Sequence, residues 1–178
     1  MPPPDLPSGL TIEVATPSDI PGVKALAGQI WRTSYPGIIS SAQIEYMLEL
    51  MYSTSRLQRD LQEGTVYLKA LWQGEWIGFA AFSMGANHES PAWLHKLYLQ
   101  PQFQGLGIGQ LLIQEVITLV SGAGGKSLRL RVNRHNERAV RAYRKAGFEI
   151  LEDICSDIGG GFFMDDHLME VRLLVGSV

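Results

Sequence analysis

Three glycines within five residues, in the stretch QGLGIG at 104–109, join an apolar β-type run to an apolar amphipathic run. A helix that begins near Gly107 presents unpaired N–H groups and the positive end of its dipole, and both suit a pyrophosphate. Each glycine costs roughly 0.5–1 kcal/mol relative to alanine in regular structure, so a simple turn explains three of them poorly. We therefore expect the backbone of this loop to bind phosphate groups.

Two common nucleotide sites do not fit this loop. A triphosphate loop needs a Lys-Ser/Thr pair after its last glycine, but Gly109 is followed by Gln110. A dinucleotide fold needs an acidic residue about 20 positions further on, where this chain reads VNR at 132–134. A pyrophosphate held without lysine and without evident metal carboxylates indicates a carrier molecule, and coenzyme A is such a carrier.

The composition is that of an ordinary globular protein, with 46% hydrophobic and 19% charged residues among 178. A net charge of −3 argues against nucleic-acid binding, and the basic segment 129–145 lacks interleaved aromatic residues. No apolar run approaches the ~18 residues of a membrane span. Cys155 is the single cysteine, which excludes an internal disulfide and a cysteine-built metal site, so no metal is expected.

The domain organisation predicted from these patterns is simple. Residues 1–9 carry neither the basic nor the apolar part of a secretory signal, and we interpret them as a disordered tail. Residues 10–178 are expected to form one domain in the cytoplasm, where a lone cysteine stays reduced. No membrane association is expected.

Hydrophobic periodicity predicts the element order β-α-α-α-β-β-β-α-β-α-β-β, an α/β domain with a mixed sheet. Ser18 and Ser41 are the expected N-caps of the first two helices. Strands are predicted at 10–16, 65–73, 76–85, 92–100, 127–132, 148–155 and 162–174, and helices at 21–35, 41–53, 54–64, 108–123 and 136–147.

Two segments together resemble the GNAT superfamily of N-acetyltransferases. LYLQPQFQGLGIGQLL is similar to its acyl-coenzyme A loop, Gln/Arg-x-x-Gly-x-Gly/Ala, through Gln104, Gly107 and Gly109. NERAVRAYRKAGFE is similar to its second signature, through Asn136, Ala139, Tyr143, Gly147 and Phe148. The resemblance covers about residues 10–175, and the segments WRTSYPGIISSAQIEYML and GGGFFMDDHLME resemble the polyamine and diamine acetyltransferase branch.

This resemblance implies a mixed, mostly antiparallel sheet that splays between its fourth and fifth strands, with helices on both faces. It also implies transfer of the acetyl group of acetyl-coenzyme A, as co-substrate, to a primary amine by direct attack in a ternary complex. The implied cofactor-binding residues are Leu97, Tyr98, Leu99, Gln104, Gly105, Leu106, Gly107, Ile108, Gly109, Gln110, Asn136, Arg138 and Tyr143, with Arg144 as an alternative to Arg138 at the phosphates.

Two residues are the candidates for proton transfer. By the resemblance, Tyr143 protonates the leaving thiolate, and a phenol of pKa ~10 is close to a thiol of pKa ~8.5. His95 is the best-placed base on the fourth strand because histidine accepts a proton near pH 7. A structural histidine at this position, an ordered water, and the weaker candidates His88 and Glu89 stay open; His135 and His167 are interpreted as surface or loop residues.

The acceptor pocket is expected between the helices at 22–61 and the loop near 158–166. Trp31, Tyr35 and Tyr46 would enclose an apolar or cationic acceptor, and Asp165 and Asp166 would attract an amine. Packing in the core and exposure in a turn are the alternatives for each of these residues.

The expected acceptor is a small amine or polyamine, or a protein amine, and a homodimer is an open alternative to a monomer. Cys155 lies outside both motifs, which disfavours a covalent acetyl-cysteine. The rival function from another class is a non-catalytic sensor of acyl-coenzyme A on the same fold.

Overall fold

A computed structural model describes residues 8–87 and 89–173 of this chain. The predicted tail therefore lies outside the described residues except for Ser8 and Gly9, and Gly9 accepts a hydrogen bond from the Gln73 backbone at 2.7 Å. His88 also lies outside. The described strands are β1 (Leu10–Val14), β2 (Val66–Trp72), β3 (Glu75–Ser83), β4 (Ala92–Leu99), β5 (Ser127–Asn133), β6 (Glu149–Gly159) and β7 (Phe162–Arg172).

The described helices complete the predicted element order, which is confirmed. They are α1 (Ile20–Ser34), α2 (Ser41–Tyr52), α3 (Thr54–Gln62), α4 (Ile108–Gly122) and α5 (Glu137–Lys145). Among the residues that the structure describes, no helix combines the length and the apolar character that crossing a bilayer requires.

One seven-stranded sheet organises the chain, in the order β1-β2-β3-β4-β5-β7-β6. The pair β4–β5 is parallel and the other neighbouring strands are antiparallel, which confirms the predicted mixed and mostly antiparallel sheet. Parallel neighbours need a crossover connection, and α4 supplies it.

Helices cover both faces of the sheet, as predicted. Leu112 and Val116 of α4 are fully buried against one face, together with Val140 of α5. On the other face, helices α1, α2 and α3 form a second cluster around Phe79 and Met47. The alternation of strand side chains between the two faces divides the apolar residues between these clusters.

The predicted N-caps of the first two helices are wrong by one or two residues. Ser18 lies inside a short 3-10 turn, and the Thr16 backbone N–H donates to Asp19 Oδ2 at 2.7 Å instead. Ser40, not Ser41, caps α2 by accepting a hydrogen bond from the Gln43 backbone at 3.1 Å. Where adjacent residues can all serve as caps, the backbone conformation decides between them.

Candidate active site

The parallel strands β4 and β5 stay together only over their first part. Their Cα partners run from Ala92 with Leu128 to Leu94 with Leu130, and the structure pairs no later residues of these two strands. This gap opens a cavity of about 1160 Å³ whose lining includes residues of α4 and α5 and also residues of α1 and α2. The cavity therefore reaches both faces of the sheet, and the predicted splay is confirmed.

A β-bulge in β4 lies at the start of the gap. The register shifts between Ala81 and Phe82 of β3, whose partners in β4 are Lys96 and Leu94. His95, between those partners, is left without a facing residue. A bulge changes the direction in which neighbouring side chains point, and Leu94 accordingly packs with α4 while Lys96 points to the opposite face.

His95 lines the cavity and remains exposed to solvent. Its Nε2 lies 2.8 Å from Ser83 Oγ. Although part of the ring is exposed, its partial burial, and after it the positive charge of Lys96, lower the pKa of His95. The imidazole is therefore neutral near pH 7 and able to accept a proton.

A buried ion pair fixes β4 next to this histidine. Lys96 Nζ lies 2.8 Å from Asp60 Oδ2, and the Tyr67 hydroxyl donates to the same oxygen at 2.7 Å. Arg56 donates to the other carboxylate oxygen at 2.8 Å. Burial raises the pKa of Asp60, but the hydrogen bond and charge of Lys96 outweigh it, so the pKa is lowered. Sequence analysis did not identify this pair, which joins α3 to the sheet.

The glycine loop follows the C-terminal end of β4. Gly105 (φ +81°) and Gly107 (φ +83°) are left-handed, and Gly107 is the N-cap of α4. Gln104 Nε2 donates to the Leu99 carbonyl at 2.9 Å, which holds the loop against the strand. A Cβ on Gly105 would lie 3.9 Å from the guanidinium of Arg138. A cationic group therefore lies beside the loop that we expect to bind phosphates.

Helix α5 carries the second motif into the cavity. Asn136 caps the helix, with its Oδ1 accepting from the Ala139 backbone at 3.2 Å. Tyr143 is buried, with its ring 5.7 Å from the Phe148 ring. Burial, and then the nearby Tyr35, raise the pKa of Tyr143, so its phenol keeps the proton throughout the neutral range. The difference between the pKa of Tyr143 and that of a thiol is thus larger than the pKa of an unperturbed phenol suggests. A hydrogen bond from Tyr143 to the sulfur is therefore favoured over early release of the Tyr143 proton.

Aromatic side chains of α1 and β4 form one wall of the cavity. The rings of Trp31 and Tyr35 stack with centroids 4.3 Å apart, and the Tyr98 ring lies 5.7 Å from that of Trp31. Trp31 Nε1 and Ser34 Oγ are buried without a hydrogen-bond partner among the described residues, although both residues line the cavity. This wall of the cavity is therefore mainly aromatic.

The two adjacent aspartates of β7 point in opposite directions. Asp165 Oδ2 lies 2.6 Å from Arg134 Nε and 3.3 Å from His135 Nε2, and Asp165 is not part of the cavity lining. Asp166 lines the cavity and is only 2% exposed. Burial raises the pKa of Asp166 to about 6, more than the opposing charge of Arg131 lowers it. Asp166 is thus the one that faces the predicted acceptor region.

The β6–β7 hairpin is held over α2 by two hydrogen bonds. The Tyr46 hydroxyl donates to the Ile158 carbonyl at 2.7 Å, and Gln43 Nε2 donates to the Phe163 carbonyl at 2.8 Å. A Cβ on Gly159 would lie 2.6 Å from the Tyr46 hydroxyl, and this glycine has φ +86°. The glycine run 159–161, which begins with the last residue of β6, therefore permits the close approach of α2. Tyr46 acts here rather than in the cavity lining.

The cavity brings together most of the residues named from the sequence. Its lining contains Trp31, Tyr35, His95, Leu97, Tyr98, Leu99, Gln104, Gly105, Gly107, Gly109, Gln110, Asn136, Arg138 and Tyr143. Leu106 is exposed on the loop and Ile108 is buried at the start of α4, and neither lines the cavity; nor does Arg144. Lining residues that sequence reasoning missed include Arg131, Asn133 and Ser156, whereas Ile158 and Met164 fall within the loop near 158–166 that was expected to line the acceptor pocket.

Other reactive groups lie apart from the cavity. Cys155 is exposed on β6 and is not a lining residue. His167 belongs to β7 rather than to a loop, and its Nδ1 lies 2.6 Å from Asp153. Within residues 8–87 and 89–173, no group of three or more His, Cys, Asp or Glu side chains is arranged to hold a metal ion.

The sequence that contributes both motifs to the cavity matches a known protein family. Residues 29–148 match the Acetyltransferase (GNAT) family. The chain belongs to the GNAT family of acetyltransferases. Among curated proteins, this GNAT chain is 29% identical to spermidine N(1)-acetyltransferase of Thermoplasma acidophilum over 144 residues, 78% of this chain and 88% of that protein.

Other GNAT relatives have different acceptors in their names. The chain is 30% identical to the peptidyl-lysine N-acetyltransferase YjaB of Salmonella typhimurium over 129 residues, 72% of this chain and 77% of that protein. Among solved structures, the PaiA N-acetyltransferase of Thermoplasma acidophilum in complex with coenzyme A matches with a TM-score of 0.76 and 27% identity, covering 92% of this chain and 98% of that one.

Proposed function

We propose that this GNAT chain transfers the acetyl group of acetyl-coenzyme A to a primary amine, on a small amine or polyamine or on a protein, by direct attack in a ternary complex. One observation carries the proposal. The gap between β4 and β5 opens a cavity that is lined by both motifs and that reaches both faces of the sheet. Two co-substrates can therefore meet in the gap from opposite faces.

The residues on the α4–α5 side suit coenzyme A. The left-handed Gly105 and Gly107 leave the start of α4 open to a pyrophosphate, and Arg138 lies next to them. Arg141 and Lys145 also line the cavity and add positive charge near the same helix. The strand from Leu97 to Leu99 has no β5 partner, which leaves room for an extended pantetheine arm. The relative from Thermoplasma acidophilum was solved with coenzyme A.

The proton transfers can be assigned to two side chains. The neutral imidazole of His95 takes the proton that the amine must lose as its nitrogen bonds to the acetyl carbon. As the carbon–sulfur bond breaks and its electron pair stays on the sulfur, the Tyr143 hydroxyl donates a hydrogen bond to the forming thiolate, because its raised pKa keeps the phenol protonated. No cysteine intermediate is needed, since Cys155 lies outside the cavity.

A panel of amines tests this proposal. The purified chain is incubated with acetyl-coenzyme A and a monoamine, a diamine, spermidine or a lysine peptide, and free thiol and acetylated amine are both quantified. The expected result is acetylation of at least one amine, with an equal amount of thiol released. Binding of coenzyme A without transfer to any amine would contradict the proposal and would favour a sensor.

A further inference from the structure

Asp166 is a buried carboxylate in the cavity lining, and one of its two oxygens is unpaired within the described part of the chain. It is 2% exposed, and its Oδ1 has no hydrogen-bond partner among the described residues. Glu137, another carboxylate in the cavity lining, is exposed and bonds to Arg141 at 3.3 Å. A buried, unpaired carboxylate destabilises a fold unless something binds it, so its unpaired oxygen in an otherwise formed cavity indicates a missing cation.

The groups that face Asp166 do not supply that cation. Arg131 of β5 contributes positive charge, yet burial still raises the pKa of Asp166. On β7 itself, Asp165 adds negative charge, while His167 has the smallest effect on the pKa of Asp166, lowering it, and its ring is bonded to Asp153. From α1, Tyr35 faces it with a neutral phenol whose own pKa is raised by burial. An ammonium group of a ligand would complete the site.

The aromatic wall beside Asp166 suits the same kind of ligand. Tyr35 lines the same cavity as Asp166 and Tyr143, and it interacts electrostatically with both of them. Trp31 stacks on Tyr35 at 4.3 Å, and stacked rings attract a cation that passes over their faces. An acceptor with two amino groups would thus have one near Tyr143, where transfer is proposed, and one near Asp166.

We infer that Asp166 binds a second ammonium group of the acceptor, the one that is not acetylated, and thereby selects diamines and polyamines over monoamines. The expected effect on kcat/KM rests on the proposed function, whereas the binding of the second ammonium group by Asp166 does not. Asp165, the aspartate predicted from the sequence for the acceptor site, is already paired with Arg134 and His135.

The test compares two ligands of equal length, 1,4-diaminobutane and butylamine, by calorimetry on the coenzyme A complex. The variant is Asp166→Asn, which keeps the shape and removes the charge. For wild type we expect the diamine to bind more tightly than the monoamine. In the variant, diamine affinity falls about 10- to 100-fold, the usual effect of losing a hydrogen bond between charged groups.

Glu152→Gln is the matched control, because it removes one exposed carboxylate of β6 that is not in the cavity lining. We expect this control variant to keep the wild-type preference for the diamine over the monoamine. Unchanged affinity of coenzyme A shows that both variants are folded. If wild type binds the two amines equally, or if Asp166→Asn keeps the preference for the diamine, the inference is overturned.

Kinetics separate this inference from the proposed function. If wild type acetylates the diamine with a higher kcat/KM than the monoamine and Asp166→Asn removes this preference, both the inference and the proposed function stand. If wild type acetylates both amines equally well, the proposed function stands and the inference fails. If the diamine binds through Asp166 but no amine is acetylated, the inference stands and the proposed function fails.

Discussion

Asp166 lies directly opposite Asn133 in the antiparallel pairing of β7 with β5, beyond Leu130, where β5 last pairs with β4. The carboxylate is thus held by a regular sheet at the side of the gap, not by a loop. Rigid elements position binding groups more accurately than loops do. This carboxylate is buried in the wall of the cavity, and burial of its charge lowers the stability of the fold.

Asp166→Asn should raise stability at neutral pH. The pKa of Asp166 rises from an ordinary value of 3.8 to about 6 on folding. The folded state therefore resists ionisation of this group, and wild type loses stability relative to the variant as the pH rises from about 4 to about 6. Above that window the accumulated difference is about 3 kcal/mol. Urea unfolding of both proteins on either side of the window measures it, and a pH-independent difference would contradict the assignment.

Tyr143→Phe should lower kcat by about 100-fold or more, the usual contribution of a positioned proton donor. Affinity for coenzyme A should change little, because the ring still packs on Phe148. Steady-state kinetics and calorimetry with coenzyme A measure the two quantities. An unchanged kcat would remove Tyr143 from the proton transfer.

His95→Gln should abolish the acid limb of kcat/KM plotted against pH. Because desolvation and Lys96 lower the pKa of His95, the wild-type limb should have its midpoint below the ordinary histidine value of 6.5. His167→Gln is the control, since that ring bonds to Asp153 outside the cavity. A limb that survives in His95→Gln assigns the base to another group.

Lys96→Met should destabilise the fold by about 3–5 kcal/mol, because it leaves the buried Asp60 without its ammonium partner. Adding Asp60→Asn to it should recover part of the loss, since no buried charge then remains unpaired. Arg56→Gln, which removes a half-exposed partner of the same carboxylate, should cost about 1 kcal/mol or less. Chemical unfolding of the three variants measures the order of these losses in stability. Equal losses for Lys96→Met and Arg56→Gln would contradict the prediction.

Gly107→Ala should weaken binding of coenzyme A. Gly107 has φ +83°, a conformation that costs an L-residue about 1–2 kcal/mol, so the loop would relax away from its phosphate-binding shape. Gly122→Ala is the matched control at the other end of α4, where an added Cβ meets no atom within 4 Å and φ is ordinary. Calorimetry should give a roughly 10-fold weaker Kd for the first variant and no change for the second. Equal values for both would show that the left-handed turn is dispensable.

The sequence predicts most of the residues that line the cavity beside α4 and α5, because two linear motifs contain them. The glycines that must be left-handed and the tyrosine of α5 are encoded by local spacing, so their positions follow from the chain itself. The existence of the strands and their order along the chain are also predicted correctly, since alternation and turn residues are local signals.

The acceptor side is predicted poorly because it depends on long-range register. In FFMDDHLMEV, Leu168 and Met169 are both buried, so alternation alone cannot tell which of Asp165 and Asp166 faces the cavity. Pairing of Asn133 with Asp166 decides it. The bulge at His95 likewise has no local signature.

The central claim is that this chain moves an acetyl group from coenzyme A to an amine. The most direct measurement is mass spectrometry of 1,4-diaminobutane after incubation with isotopically labelled acetyl-coenzyme A and the purified chain. We predict a singly acetylated diamine that carries the label and accumulates in step with free thiol. Release of thiol with no labelled amine, or bound coenzyme A with no release of thiol, would contradict the claim.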